Sequence, residues 1–425
     1  MNFSKKQITI VGGIAIIVLL IVLAIIFGRA APTNQKEITL TVWGVGDSED
    51  VLRPVFESYQ KSHSKTKIQY TEFNEADYQK SLINALAANN GPDIFMFHRS
   101  WLPANADKVL VFDKTKISLN KLRDLFPKAV EQDFSYGENI YALPLYIDTL
   151  ATFYNKDILD NSAIAIPPKT WDEFKLLISK LRKLDPKTNS IIRAAGAIGG
   201  SNDSIHSASD IFTLMAMQEG VNFPKNSGER LAFGNKGQNA LNFYLEFTNP
   251  KSLIYAWDDA FNYSLDAFAN GQSAIIFDYQ RTIDVLKKKN PYLNIGIAPM
   301  LQFNLDSKVN FADYWGLAVS KKSQNPSAAQ DLILALTTNE AYAKAYLLSS
   351  GRPPALRSLI NKYQDDPSLG VFAQQALSAN SWYQVDSDFI SQTFSDMIES
   401  ALAKQVSIKD ALEVAENKVN SLIQP

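Results

Sequence analysis

Apolar positions along this chain follow two different rules. From Ile8 to Phe27, 20 residues run without a charge, diluted only by Thr9, Gly12 and Gly13. At 1.5 Å per residue such a run spans a hydrocarbon core of about 30 Å. Beyond a short polar linker the apolar residues are spaced instead. Ile38, Leu40 and Val42 alternate with threonines and predict a half-buried strand; Val51, Leu52, Val55, Phe56 and Tyr59 fall at helical spacing. Residues 67–73 alternate again, Tyr78, Leu82, Ile83 and Leu86 make a second helical face, and 93–97 (Asp-Ile-Phe-Met-Phe) read as a third strand. Strand, helix, strand, helix, strand predicts a doubly wound α/β unit with a parallel sheet. Ligands of such sheets sit beyond the carboxyl ends of the strands, here residues 43–47 and 98–101.

The stretch 141–159 carries two strand-like runs around one proline. Pro144 fixes its own φ and pushes Leu143 into the extended region, and Asp148 interrupts an otherwise apolar run, as expected of a strand passing between domains. Thr170 to Glu173 reads as a capping box opening a helix through Leu181, which assigns Trp171 to packing. Residues 191–211 read as loop, followed by helices over 210–219 and 241–247. Residues 273–277 predict a strand that delivers Asp278, Tyr279 and Gln280 at its end, and 294–299 another. Helices are expected over 327–336 and 340–348 and, after the break at Gly351-Arg-Pro-Pro354, around 363–379, 389–405 and 408–422.

Length changes the picture first: 425 residues exceed what one core accommodates, so two or three domains are expected. With 46% hydrophobic and 20% charged residues the chain is an ordinary folded globule. Its net charge is −2, and setting aside Lys5, Lys6 and Arg29 leaves −5 for the remainder, which argues against a nucleic-acid partner. Cysteine is absent, which removes disulfides, thiolate metal sites, a cysteine nucleophile and a lipidated N-terminal cysteine together. Lys5 and Lys6 ahead of the apolar run place residues 1–7 in the cytoplasm, 8–27 across the membrane as an anchor, 28–36 as a linker, and the rest outside. The competing reading is a cleaved signal peptide, since Gly28-Arg29-Ala30 offers small residues for a protease, although the apolar region is longer than such peptides use.

Catalytic signatures are missing. No nucleophile elbow, phosphate loop, zinc helix or calcium loop occurs, and the three histidines, His63, His98 and His206, have no spacing that suggests a metal. No cofactor is called for. Tryptophans at or near strand ends and loops, Trp43, Trp101, Trp257 and Trp315, have carboxylates or amides close to three of them, a combination that suits sugars: flat aromatic faces pack on pyranose rings while planar polar groups take hydroxyls in pairs. Trp382 is assigned to packing.

The order Gly91-Pro-Asp-Ile94, Tyr141-Ala-Leu-Pro144 with Thr152-Phe-Tyr-Asn-Lys-Asp157, Pro168-Lys-Thr-Trp171, Phe268-Ala-Asn-Gly271, Ile297-Ala-Pro299 and Tyr314-Trp-Gly-Leu-Ala318 resembles the extracellular solute-binding proteins of ABC transporters, in the branch of the maltose-binding protein. The resemblance covers residues 37–425. It implies a two-lobed periplasmic-binding-protein-like α/β fold, each lobe a doubly wound sheet, with residues 37–146 and 313–352 in the first lobe, 147–312 and 353–425 in the second, and hinge crossings near 145, 312 and 353. It also implies a ligand in the cleft, ABC permease subunits as partners, and a monomer.

The expected site draws Trp43, Asp47, His98, Arg99 and Trp101 from the first lobe, and Ser201, Trp257, Asp258, Asp278 and Tyr279 from the second. Tyr146, Asp148, Trp315 and Arg352 stand near the crossings. Asp148 and Trp257 are the leading candidates. A sugar or oligosaccharide receptor is the first reading, with a polyamine, phosphorylated polyol or peptide as other ligands. An anchored sensory or scaffold module and a carbohydrate-active enzyme with two cleft carboxylates remain open.

Overall fold

A computed structural model describes residues 37–423. The expected anchor, Ile8 to Phe27, lies outside them; among the described residues no helix is long and apolar enough to cross a membrane.

The first five elements follow the apolar pattern. Strand β1 (Ile38–Val45), helix α1 (Glu49–Ser62), strand β2 (Thr66–Phe73), helix α2 (Glu75–Ala87) and strand β3 (Ile94–His98) alternate along the chain. β1 lies between β2 and β3 and is parallel to both. Trp315–Ser320 then joins antiparallel to β3, pairing on its far side with Val109–Leu110 and Ala142–Pro144. Gly316 is needed there: a Cβ would stand 2.7 Å from the Leu143 carbonyl and 2.6 Å from the Phe134 ring.

A second sheet sets Ala151–Asn155 between Ile275–Asp278 and Ile295–Ala298, antiparallel to each. The apolar residues separate accordingly into two cores. One gathers residues 40–147 with much of 312–379; the other takes 150–311, with Phe372 and the helices Ser387–Leu402 and Ile408–Leu422. Two lobes are therefore assembled from interleaved segments, each burying its own sheet face. Trp171 sits fully enclosed in the second core, its indole N–H donating to Gln218 at 2.9 Å, and the Thr170 hydroxyl caps its helix on the Glu173 amide at 3.1 Å.

Between the cores lies a small three-stranded bridge. Asn310–Asp313 pairs antiparallel with Asp148–Thr149 and parallel with Ala379–Asn380. The chain runs between the cores at Asp148–Thr149 and Asn310–Asp313, and the third passage departs from the expected position near 353. Ala355, Leu356, Leu359 and Ile360, expected in the second lobe, are buried in the first core, so that the chain passes over near 380 instead of 353. The reason is local. Gly351, at φ +66°, ends the helix Glu340–Ser350 in a left-handed cap, and the chain folds back on its own lobe with Tyr146 bridging to Pro354.

Candidate functional site

Two carboxylates face each other at the bridge: Asp148 and Asp313 are register partners in adjacent antiparallel strands. Like charges so placed need cations between them. Arg281, just past the end of Ile275–Asp278, supplies one. Its guanidinium reaches Asp313 Oδ2 at 2.8 Å, and its backbone amide and that of Gln280 donate to the two oxygens of Asp148 at 3.2 and 3.0 Å. Burial pushes the fully enclosed Asp148 carboxyl up to about 6, even against Arg281 and these amides. For Asp313 burial also pulls upward, but His98 and Arg281 override it and hold the carboxyl far below the usual range.

Asp313 also accepts from His98 Nε2 at 2.7 Å and Arg99 Nε at 3.3 Å, both at the carboxyl end of β3. One residue of the bridge thus receives cations from both lobes. Arg99 Nη1 continues to Gln384 at 2.9 Å, beyond the third crossing.

On one side of this network opens a cleft of about 350 Å³ between the lobes. Its first-lobe wall is the α2 N-terminus (Glu75, Gln79), His98, Trp101 and Trp315. Its second-lobe wall is the helix Ala208–Gln218 (Ser209, Asp210, Thr213) and the helix Ser387–Leu402 (Ser387, Asp388, Ser391, Phe394). Trp101 and Trp315 meet edge to face at 5.1 Å, and His98 packs on Trp315 at 4.9 Å. The walls are an aromatic pair on one lobe facing carboxylates and hydroxyls on the other.

Of the expected residues, His98, Arg99, Trp101 and Trp315 come together in this cleft, and Asp148 closes the bridge beside it. Asp278 and Tyr279 are buried second-lobe groups one layer behind. Asp278 takes hydrogen bonds from Thr282 at 2.6 Å and pairs with His206 at 2.7 Å, while the Tyr279 hydroxyl donates to Asp210 at 2.8 Å and its ring carries the Arg281 guanidinium at 4.2 Å. Asp47, Tyr146 and Arg352 form a cluster internal to the first lobe. Tyr346 donates to Asp47 at 2.5 Å, Arg352 Nε approaches it at 3.4 Å, and the guanidinium lies over the Tyr146 ring at 5.5 Å.

Three expectations require correction. Trp257 is fully enclosed in the second core, its indole N–H donating to Ser204 at 3.1 Å and its ring packed on Phe261, so it offers no face to a ligand. Ser201 is equally buried, its amide held by Asp259 at 3.1 Å. Asp258 folds into its own loop, accepting from the Ala260 amide and Tyr255 hydroxyl. Trp43, half-buried near the end of β1 with the Phe73 ring 4.5 Å away, lies outside the lining of the cleft.

Several groups escaped the sequence reading. The end of β2 leads to Glu75 and Gln79 by the same strand-end rule that located residues 98–101, but no aromatic marked it. Asp210, Asp388 and Ser391 lie on helices with nothing local to set them apart. Gln280 Oε1 and Arg281 Nη1 are buried atoms that find no partner among the described residues. A buried acceptor or donor left unpaired costs about 1–3 kcal/mol, and neither residue lines the cleft.

The geometry can be set beside known proteins. The model of the bacterial extracellular solute-binding protein family matches residues 55–371. A maltotriose-binding protein of Pyrococcus abyssi is 23% identical over 341 residues, 76% of this chain and 68% of that one. A galactooligosaccharide-binding protein of Bacillus subtilis is 23% identical over 347 residues, 80% and 77% of the two chains. A probable ABC transporter-binding protein of Deinococcus radiodurans is 21% identical over 419 residues, 93% and 96%. Among solved structures, the cyclic alpha-maltosyl-1,6-maltose binding protein of Arthrobacter globiformis superposes with a TM-score of 0.75 at 20% identity, covering 91% of this chain and 98% of that one, a likeness of fold. With two interleaved lobes, a bridged cleft and a family match over most of the described residues, the chain belongs to the bacterial extracellular solute-binding proteins.

Proposed function

We propose that this protein is the receptor of an ABC importer for a sugar or oligosaccharide, held at the outer face of the cytoplasmic membrane by residues 8–27 and presenting its loaded, closed form to permease subunits. The observation that carries the reading is the cleft between the lobes, where the Trp101 and Trp315 pair stands opposite Asp210, Asp388 and serine hydroxyls. Carboxylates accept from sugar hydroxyls, and aromatic rings pack on the C–H faces. A hydroxyl both donates and accepts, so polyhydroxylated ligands suit walls that carry carboxylates, hydroxyls and amides. Relatives named for maltotriose and galactooligosaccharides support the same class. Closure follows from differential contact: a ligand touching both walls stabilises the closed form by what it gains beyond one wall.

Calorimetry of the full-length chain in detergent against mono- and oligosaccharides tests the ligand class. Saturable binding that Trp101→Ala abolishes supports it; no binding across the panel rejects it. N-terminal sequencing of membrane-extracted protein tests the anchor, and a start at Ala31 rejects retention.

A further inference from the structure

The carboxylates that line the cleft, Glu75, Asp210, Asp313 and Asp388, differ in how firmly they are held. Asp313 is fully engaged on the bridge, where His98 and Arg99 donate to one oxygen and Arg281 to the other. Glu75 and Asp388 are exposed, and no side chain among the described residues fixes either of them. Asp210 is both held and open. Its Oδ2 accepts from the Tyr279 hydroxyl at 2.8 Å, while its other oxygen has no hydrogen-bond partner among the described residues yet is not sealed off. That oxygen opens on the cleft that Asp210 lines.

Tyr279 is itself locked in place. It follows the strand Ile275–Asp278, is fully enclosed, and donates its backbone amide to Asp278 Oδ1 at 2.8 Å. The Arg281 guanidinium lies 4.2 Å from the centre of its ring and continues to Asp313 at 2.8 Å. The hydroxyl that holds Asp210 is thus placed by the second sheet and the bridge together. A hydrogen bond to an ionised group is about twice as strong as a neutral one, and a carboxylate oriented before the ligand arrives loses less side-chain freedom on binding.

We propose that Tyr279 is a positioning residue for ligand capture: it does not touch the ligand, but holds Asp210 so that one carboxylate oxygen faces the cleft and accepts a ligand hydroxyl. This rests on the reading of the cleft as a saccharide site. A pH signature goes with it. Burial and the neighbouring Asp313 raise the Asp210 carboxyl above its ordinary value, against Arg99, the Tyr279 hydrogen bond and Arg281, and His206 ahead of its helix faces it as well. Ionised Asp210 is the acceptor, so affinity rises as pH climbs through its pKa. Taking away the Tyr279 hydroxyl removes one of the lowering influences and moves that rise to higher pH.

The test is calorimetry of the full-length chain in detergent with the same mono- and oligosaccharides, maltotriose among them, on the parent and on Tyr279→Phe, which keeps the ring beneath Arg281 and removes only the hydroxyl. Affinity should fall about tenfold. In an Asp210→Ala background Tyr279→Phe should cost nothing more, because no carboxylate is left to hold. Repeated from about pH 5 to 8, the rise in parental affinity should move to higher pH in Tyr279→Phe. Parental affinity in Tyr279→Phe overturns the inference, and so does an equal loss in the Asp210→Ala background, which would mean that the hydroxyl does not act through Asp210. Should Asp210→Ala fail to fold, the pH profile of Tyr279→Phe decides alone, and an unmoved profile overturns the inference. The saccharide reading fails in a different way, by no saccharide binding the parent, and the inference then falls with it.

Discussion

Trp315 lies directly opposite His98 in the antiparallel pairing of the first sheet, their rings 4.9 Å apart, although 217 positions separate them in the chain. Register brings the two to one strand edge, where Trp101 completes an aromatic wall facing the second lobe. Trp315→Ala should therefore weaken saccharide binding by about 0.5–1.5 kcal/mol beyond the lost contact area, on the order of tenfold in affinity. Calorimetry on the folded variant checks it, and unchanged affinity would place the ligand elsewhere.

Trp257 predicts the opposite behaviour. Its ring is fully enclosed in the second core and its N–H is satisfied by Ser204. Trp257→Ala should cost about 3–5 kcal/mol of stability in urea unfolding. The molecules that remain folded should bind with parental affinity. A stable variant with lost binding would return Trp257 to the site.

Arg281 and Asp313 join the second lobe to the bridge at 2.8 Å, with Asp313 buried among His98 and Arg99. Asp313→Asn should destabilise the protein by about 3–5 kcal/mol, because it leaves Arg281 enclosed without its counter-charge. Arg281→Met in that background should restore part of the loss. Strictly additive effects in the double-mutant cycle would show that the two are not coupled.

A pH dependence follows from Asp133, whose carboxyl burial raises to about 6 despite Arg99, Ser381, Tyr314 and His98 around it. Its folded-state pKa exceeds the unfolded value near 4, so between the two the native state holds the extra proton. Asp133 then contributes stability that is full below about pH 4 and lost as pH rises through about 6. The Asp148 carboxyl, also raised to about 6, acts with the same sign. Asp313, held low, acts with the other: its contribution is present above the unfolded pKa and is lost on acidification. Comparing Asp133→Asn with the parent in urea at pH 4 and pH 7 isolates the first. The parent's advantage should shrink by roughly 3 kcal/mol on going to pH 7. A constant difference would mean that Asp133 titrates normally.

The sequence by itself determined the alternating first lobe, the strand ends that hold His98, Arg99 and Trp101, and the extended stretch around Pro144 that leads to Asp148. Each depends on a short-range signal: period-two or helical apolar spacing, a proline, or a carboxylate interrupting an apolar run. The capping box before Trp171 belongs to the same class, since Thr170 and Glu173 meet within one turn. Tertiary structure alone decided which polar and aromatic groups are free. Trp257 and Trp315 look alike as tryptophans beside polar residues, yet one is closed in by Phe261 and Ser204 while the other lines the interlobe cleft. Likewise Asp210, Asp388 and Arg281 acquire meaning only when helices from distant segments face β3 across the bridge. Burial and pairing are long-range properties, set by which surfaces the two cores leave uncovered, and no local spacing in the chain encodes them.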